Sequence, residues 1–250
     1  MRIMGQNRED RLRLNVFVAR ASGLSRRAAD GEVVAGNVAV DGITVREPGF
    51  RVNPGQKIFL NGKEIELPDR FIWLILNKPT GYISTRSDPH GRRTVMDLLP
   101  EKYRTLFPVG RLDTDTTGLL LFTNDGKTAN NLLHPRYSVP RVYRARIAGK
   151  LDEEVLSFVK RGVMVDGRRV FPESLCKLYT REDSEVWEIR LVHGRYHEVK
   201  RFFSALGKVV VSLKRLSYAG IELEHLAKGE FRELTRREIA EMKTRLESYG

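Results

Sequence analysis

Asp113 and Asp115 stand one residue apart in the stretch Gly110-Arg111-Leu112-Asp113-Thr114-Asp115-Thr116-Thr117-Gly118, with Arg111 beside them. The wholly apolar run Leu119-Leu120-Leu121-Phe122 follows at once. That layout predicts a polar loop held against a buried strand. A carboxylate on such a loop is desolvated on one side and open on the other, which suits a base or a nucleophile. Asp-Thr-Asp-Thr-Thr also matches the short D-x-D-x-T string of magnesium-dependent phosphatases that form an aspartyl-phosphate. Those enzymes set the string directly after an apolar strand, whereas here Gly110-Arg111-Leu112 comes first. Asp115 and Thr117 are therefore expected to hydrogen-bond the loop itself and so position Asp113.

A second group lies near residue 200. A helix over Tyr196–Leu206 would gather Tyr196, Val199, Phe202, Phe203 and Leu206 on an apolar face. His197, Lys200, Arg201 and Ser204 would then form the opposite stripe, either a solvated basic face or part of a site. His193 and His197 have the i, i+4 spacing of metal ligands if helical, but Gly194 lies between them and no third ligand is evident. Tyr143 alternates with Ala145 and Ile147 on a predicted strand, where its ring serves either as core or as a stacking surface. Leu213, on a valine-rich strand, reads as core. Cys176 alternates with apolar neighbours and is expected to be a buried, inert thiol; one cysteine excludes an internal disulfide and a thiolate zinc cluster.

The elements that must position these groups are legible in outline. Residues 1–10 read as a flexible tail. Leu14, Phe17, Val18 and Ala21 have helical spacing that ends at Gly23. Ser25 can cap a second helix beginning Arg26-Arg27, weakened later by Gly31 and Gly36. Short strands then flank the Asp41-Gly42 and Asn61-Gly62 turns. This small α+β module spans residues 11–68. The pattern resets at 69, where Phe71–Leu76 opens a second unit running to residue 250. There Trp187, Ile189 and Leu191 alternate with Glu188 and Arg190. Helices are expected over 152–159, 196–206 and from Thr235, where Thr235 and Glu238 form a capping box. Strands and helices mix without strict alternation, so the fold class is α+β with a largely antiparallel sheet flanked by helices.

The chain has 250 residues and a net charge of +12, which suits a polyanionic partner. Residues 1–68 carry 11 basic and 8 acidic residues and the remainder 33 and 24, so both units are basic and one ligand could lie across both. No run is long and apolar enough for a membrane span, and residues 1–13 do not read as a signal segment. A cytoplasmic protein is expected.

Three motifs over residues 12–60 resemble the S4 RNA-binding domain: Arg13-Leu14-Asn15-Val16-Phe17-Val18-Ala19, Gly23-Leu24-Ser25-Arg26-Arg27-Ala28 and Val38-Ala39-Val40-Asp41-Gly42. Residues 71–234 resemble the catalytic domain of RsuA-type ribosomal RNA pseudouridine synthases. The matching residues are Leu76-Asn77-Lys78-Pro79-Thr80-Gly81-Tyr82, Val95-Met96-Asp97-Leu98-Leu99-Pro100, the stretch from Gly110 to Gly126, Val142-Tyr143-Arg144-Ala145, Gly194-Arg195-Tyr196-His197-Glu198-Val199-Lys200-Arg201 and Leu213-Lys214-Arg215-Leu216. Asp30-Gly31-Glu32 departs from the longer aliphatics usual in the second S4 helix, and Arg141-Val142 replaces the residues usual before the tyrosine.

The resemblance implies isomerisation of a uridine in ribosomal RNA, free or in a pre-ribosomal particle. Asp113 would attack C1′ of a flipped-out nucleotide or take its neighbour's proton. Lys200, or else Arg201, would keep that carboxylate ionised, and Tyr143 would be the active-site tyrosine. Leu213 would lie under the base. Arg111, Arg26, Arg27 and Arg201 would contact RNA. No atom is gained, so no redox cofactor is needed; no cofactor or metal is expected, and the protein is expected to act as a monomer without a membrane. The readings set against this one are the magnesium phosphatase and a catalytically silent ribosome-binding protein.

Overall fold

A computed structural model of the chain describes residues 11–249; the tail expected at 1–10 lies outside them. The chain divides into two compact units, one taking in the residues up to Phe71 together with Glu101–Leu106, the other taking the rest from Ile72.

In the first unit, α1 (Leu14–Ser22) buries Leu14 and Val18 and stops at Gly23, whose φ of 74° only glycine adopts freely. α2 (Arg26–Ala35) starts where the Ser25 side chain accepts the Ala28 N–H at 3.1 Å. It continues through Gly31 and closes at Gly36. β1 (Val38–Val40), β2 (Ile43–Thr44), β3 (Ile58–Leu60) and β4 (Lys63–Ile65) form an antiparallel sheet in the order β2-β1-β3-β4. Both residues of each hairpin turn have positive φ: 50° and 82° at Asp41-Gly42, 50° and 77° at Asn61-Gly62. Val33 of α2 meets Val38, Val40 and Ile58 in the core between helices and sheet.

The second unit contains β5 (Trp73–Lys78), β6 (Phe107–Val109), β7 (Thr117–Thr123), α3 (Gly126–Leu133), β8 (Arg141–Ala148), α4 (Glu153–Lys160), β9 (Val163–Val165), β10 (Arg168–Val170), β11 (Ser174–Arg181), β12 (Ser184–Leu191), α5 (Glu198–Ala205), β13 (Val210–Tyr218), β14 (Ile221–Glu222), β15 (Phe231–Glu233) and α6 (Arg236–Ser248). A nine-stranded sheet runs β11-β12-β8-β13-β7-β5-β15, with β14 on β13 and β6 on β7. β7 and β13 pair in parallel; the other strand pairs of this sheet are antiparallel. β9 and β10 form a separate hairpin.

β5 is buried along its whole length and pairs with β7 on one side and β15 on the other. Two apolar clusters lie on the sheet. One packs Trp73, Ile75, Leu119 and Leu121 with Ala129 and Leu132 of α3 and Met242 and Leu246 of α6. The other packs Ala145, Ile147, Trp187, Ile189 and Leu213 with Val199, Phe202 and Phe203 of α5.

Three expectations are corrected. The helix near residue 200 begins at Glu198, because His197 takes a left-handed φ of 54° and cannot extend it N-terminally. Tyr196 thus leaves the apolar face and is exposed. β5 begins at Trp73 and carries on through Asn77 and Lys78. Cys176 is exposed, since β11 is an edge strand and alternation alone does not say which face is covered.

Candidate active site

Residues 110–116 link β6 to β7, and their backbone is clamped from two directions. Lys78, fully buried at the end of β5, points its ammonium at the loop. It donates to the carbonyls of Asp113 at 3.0 Å, Thr116 at 3.0 Å and Thr114 at 3.4 Å, and to its neighbour Pro79 at 3.0 Å. Burial brings the Lys78 pKa down to about 8, against the upward pull of Asp115 and Asp113. Ser84 closes the other side: its hydroxyl donates to the Leu112 carbonyl at 2.7 Å and accepts the Leu112 N–H at 3.0 Å. Beyond the loop, Gly118 has φ 103°, and a Cβ there would stand 2.2 Å from the Arg215 carbonyl oxygen. Only glycine lets β7 approach β13 so closely.

Held this way, the Asp113 carboxylate projects into a cleft lined also by Arg111, Tyr143, His197, Leu213 and Arg215. Its side chain is 27% exposed, so it is neither sealed nor fully hydrated. One carboxylate oxygen, Oδ2, is 3.3 Å from Lys200 Nζ, and Oδ1 is 3.2 Å from His197 Nε2. Lys200 also donates to both Asp115 oxygens, at 2.7 and 2.9 Å. Burial lowers the Lys200 pKa, but the Asp115 hydrogen bond and the charges of both aspartates outweigh it and leave the ammonium above the usual lysine value. The Lys200 hydrogen bond in turn holds Asp115 below the usual carboxylate range. The expectation that Asp115 binds the loop is thereby corrected: its carboxylate lies on Lys200. Thr117 reaches across the sheet instead, donating to the Leu213 carbonyl at 3.2 Å.

Tyr143 is half-buried on the β8 face it shares with Ala145 and Ile147, and Leu213 is buried on adjacent β13. Arg141 and Arg215, both buried in the cleft wall, hydrogen-bond backbone carbonyls of Val139 at 2.8 Å and Leu119 at 2.7 Å. Neither is ion-paired with a carboxylate among the described residues. Two uncompensated buried guanidinium groups make the wall electropositive. Arg201 belongs to a different contact: it pairs with Asp166 in the β9–β10 turn and lies over the Tyr196 ring. It therefore does not serve Asp113. Arg26 and Arg27 are exposed on the first turn of α2 in the other unit.

His193 and His197 are not on one helix turn, and no group of three His, Cys, Asp or Glu among the described residues is placed to hold a metal. Sequence reasoning assigned no part to Lys78, Ser84, Arg215 or the contact of His197 with Asp113. Lys78, Arg215 and His197 stand inside the matched motifs, which was the available signal.

The RNA pseudouridylate synthase family matches residues 72–205, and the S4 domain matches residues 12–67. A protein of Aquifex aeolicus (strain VF5) named as an uncharacterized RNA pseudouridine synthase is 39% identical over 92% of this chain and 93% of its own. The ribosomal large subunit pseudouridine synthase B of Bacillus subtilis (strain 168) is 36% identical over 92% and 95%. A solved structure, described as a pseudouridylate synthase, superposes with a TM-score of 0.65 at 29% identity, over 92% of this chain and 99% of that one. The chain belongs to the RNA pseudouridylate synthase family, enzymes that isomerise uridine within RNA, and carries an S4 domain ahead of the catalytic one.

Proposed function

We propose that the enzyme converts a specific uridine of ribosomal RNA to pseudouridine, with Asp113 as the group that attacks C1′ or removes the neighbouring proton. The observation that carries the reading is the Asp113 carboxylate in the cleft, 3.3 Å from the Lys200 ammonium and beside Tyr143 and Leu213. The C1′–N1 bond breaks, the uracil turns, C1′ bonds to C5, and the C5 proton leaves while N1 gains one. Every heavy atom comes from the substrate, so the reaction needs no redox cofactor and no group donor. Tyr143 stacks on the extruded uracil and Leu213 supports it from below.

Extruding the nucleotide costs about a few kcal/mol. Phosphate contacts offset that cost, from Arg111 near the cleft, Arg201 beside it and Arg26 and Arg27 of the S4 domain. The substrate is ribosomal RNA, free or in a pre-ribosomal particle, and the name of the Bacillus subtilis relative makes large-subunit RNA the first place to look. The enzyme works as a monomer in the cytoplasm. Both aspartates face one ammonium, that of Lys200.

Asp113→Asn is expected to abolish pseudouridine formation, read by carbodiimide labelling of the RNA, while RNA binding survives. Near-normal turnover in that variant would remove Asp113 from the role. Pseudouridine mapping in rRNA from a strain lacking the protein identifies the uridine.

A further inference from the structure

The Asp113 carboxylate has a second neighbour besides the lysine, and that neighbour is itself held by a chain of contacts leading out to a surface hairpin. His197 Nε2 lies 3.2 Å from Asp113 Oδ1. The imidazole is stacked on the Tyr196 ring, with centroids 3.7 Å apart and planes 20° from parallel. The Arg201 guanidinium lies over Tyr196, 5.3 Å from its centroid. Arg201 is tied in turn to Asp166, the first residue of the β9–β10 turn, which has a left-handed φ of 49°. His197 itself sits at φ 54°, a conformation that a non-glycine residue keeps only where its surroundings enforce it. The stack and the carboxylate contact are those surroundings.

We propose that His197 is a positioning residue for Asp113: its Nε2, 3.2 Å from Oδ1, limits the carboxylate rotamer, and the Tyr196–Arg201–Asp166 chain fixes the imidazole. The inference rests on the reading of Asp113 given above and extends it to how that group is aimed. Lys200 cannot do the aiming alone. Its ammonium is shared between Asp113 at 3.3 Å and Asp115 at 2.7 Å, and an ammonium is a point charge with no fixed direction. A planar imidazole stacked on a ring supplies the direction that the lysine lacks. The other charged neighbours have different work: Glu198 accepts the Arg195 N–H at 3.2 Å, and Arg215 is tied to the Leu119 carbonyl.

The test compares two amides. Asn tolerates the left-handed backbone, but its amide is too short to reach Oδ1; Gln places its amide nitrogen close to where Nε2 stands. His197→Asn is expected to lower kcat roughly 10- to 100-fold, the cost of a misplaced reacting group, with KM for RNA little changed. His197→Gln is expected to recover most of that loss. Tyr196→Leu should lower kcat in the same way, with Tyr196→Phe retaining more because it keeps the ring. Asp166→Ala should show a smaller loss of the same kind. Thermal midpoints of all variants are measured alongside, since a merely structural role would lower the midpoint and would not be rescued by Gln. Wild-type kcat in a folded His197→Asn variant, or equal losses in the Asn and Gln variants, would overturn the positioning role. If Asp113→Asn also remained active, the reading of Asp113 would fail instead.

Discussion

At the scale of single residues, the site depends on a buried lysine as much as on the pair of aspartates. Lys78 holds three loop carbonyls, and Lys78→Met would remove the ammonium they share, leaving those of Asp113 and Thr114 to the backbone N–H groups of Thr116 and Gly81. Since two of the three carbonyls keep those donors, the substitution is expected to cost about 1–2 kcal/mol and to depress kcat. The pH behaviour has two opposite signs. The folded pKa of about 8 lies below the 10.5 of an ordinary lysine, so between these values the unfolded chain binds the proton that the folded chain has released. Across that window this group makes the fold more stable as pH rises. Activity moves the other way, because the loop loses its ammonium. Urea midpoints should therefore rise with pH in the wild type relative to Lys78→Met, while the wild-type kcat falls above about pH 8. A kcat that stays flat through the lysine range would remove Lys78 from the support of the loop. The sequence could not show this role. The carbonyls that Lys78 binds come from residues 35 to 38 positions further on, and no local periodicity reports such a contact. Asp113 was legible for the opposite reason: a polar loop against four apolar residues is a local pattern, although its pairing with Lys200 came only from the family resemblance.

At the scale of elements, end signals were read well where a side chain makes the signal. Ser25 caps α2, and Thr235 with Glu238 caps α6, both by local hydrogen bonds. They were read poorly where a backbone angle decides. The apolar face of α5 is legible at Val199, Phe202 and Phe203, but helical spacing also takes in Tyr196 and His197, because nothing in the letters Tyr-His announces a left-handed histidine. Cys176 was misjudged because strand order, which puts β11 at the sheet edge, is not a local property. The α6 cap offers a measurable consequence. The Arg232 hydrogen bond, helped by the Thr235 bonds, brings the Glu238 pKa to about 2 from an ordinary 4.5. Its stabilising effect is complete above 4.5 and disappears as pH falls through about 2. Glu238→Gln should flatten that acid limb in urea unfolding, and Thr235→Ala should cost about 1 kcal/mol at neutral pH. An unchanged acid limb in Glu238→Gln would assign the loss to other carboxylates.

At the scale of the whole molecule, the charge of +12 is spread over both units, as expected of a protein that grips a polyanion along its length. If Arg26 and Arg27 each neutralise one phosphate, the double alanine variant should bind RNA more weakly. Its plot of log affinity against log salt should be shallower by about 1 for each arginine replaced. An unchanged slope would place the S4 contact elsewhere. The S4 unit was legible because its helices and hairpins are built from neighbours in sequence. The catalytic sheet was legible only as a class, since its strand order joins segments far apart. One such join is the parallel pairing of β7 with β13, whose cross-strand bonds span 96 residues. During synthesis the aspartate loop is made early, but the strand that backs it leaves the ribosome much later. A nascent chain therefore holds no competent cleft until β13 has emerged, and closing that long circuit should be among the slow steps of folding.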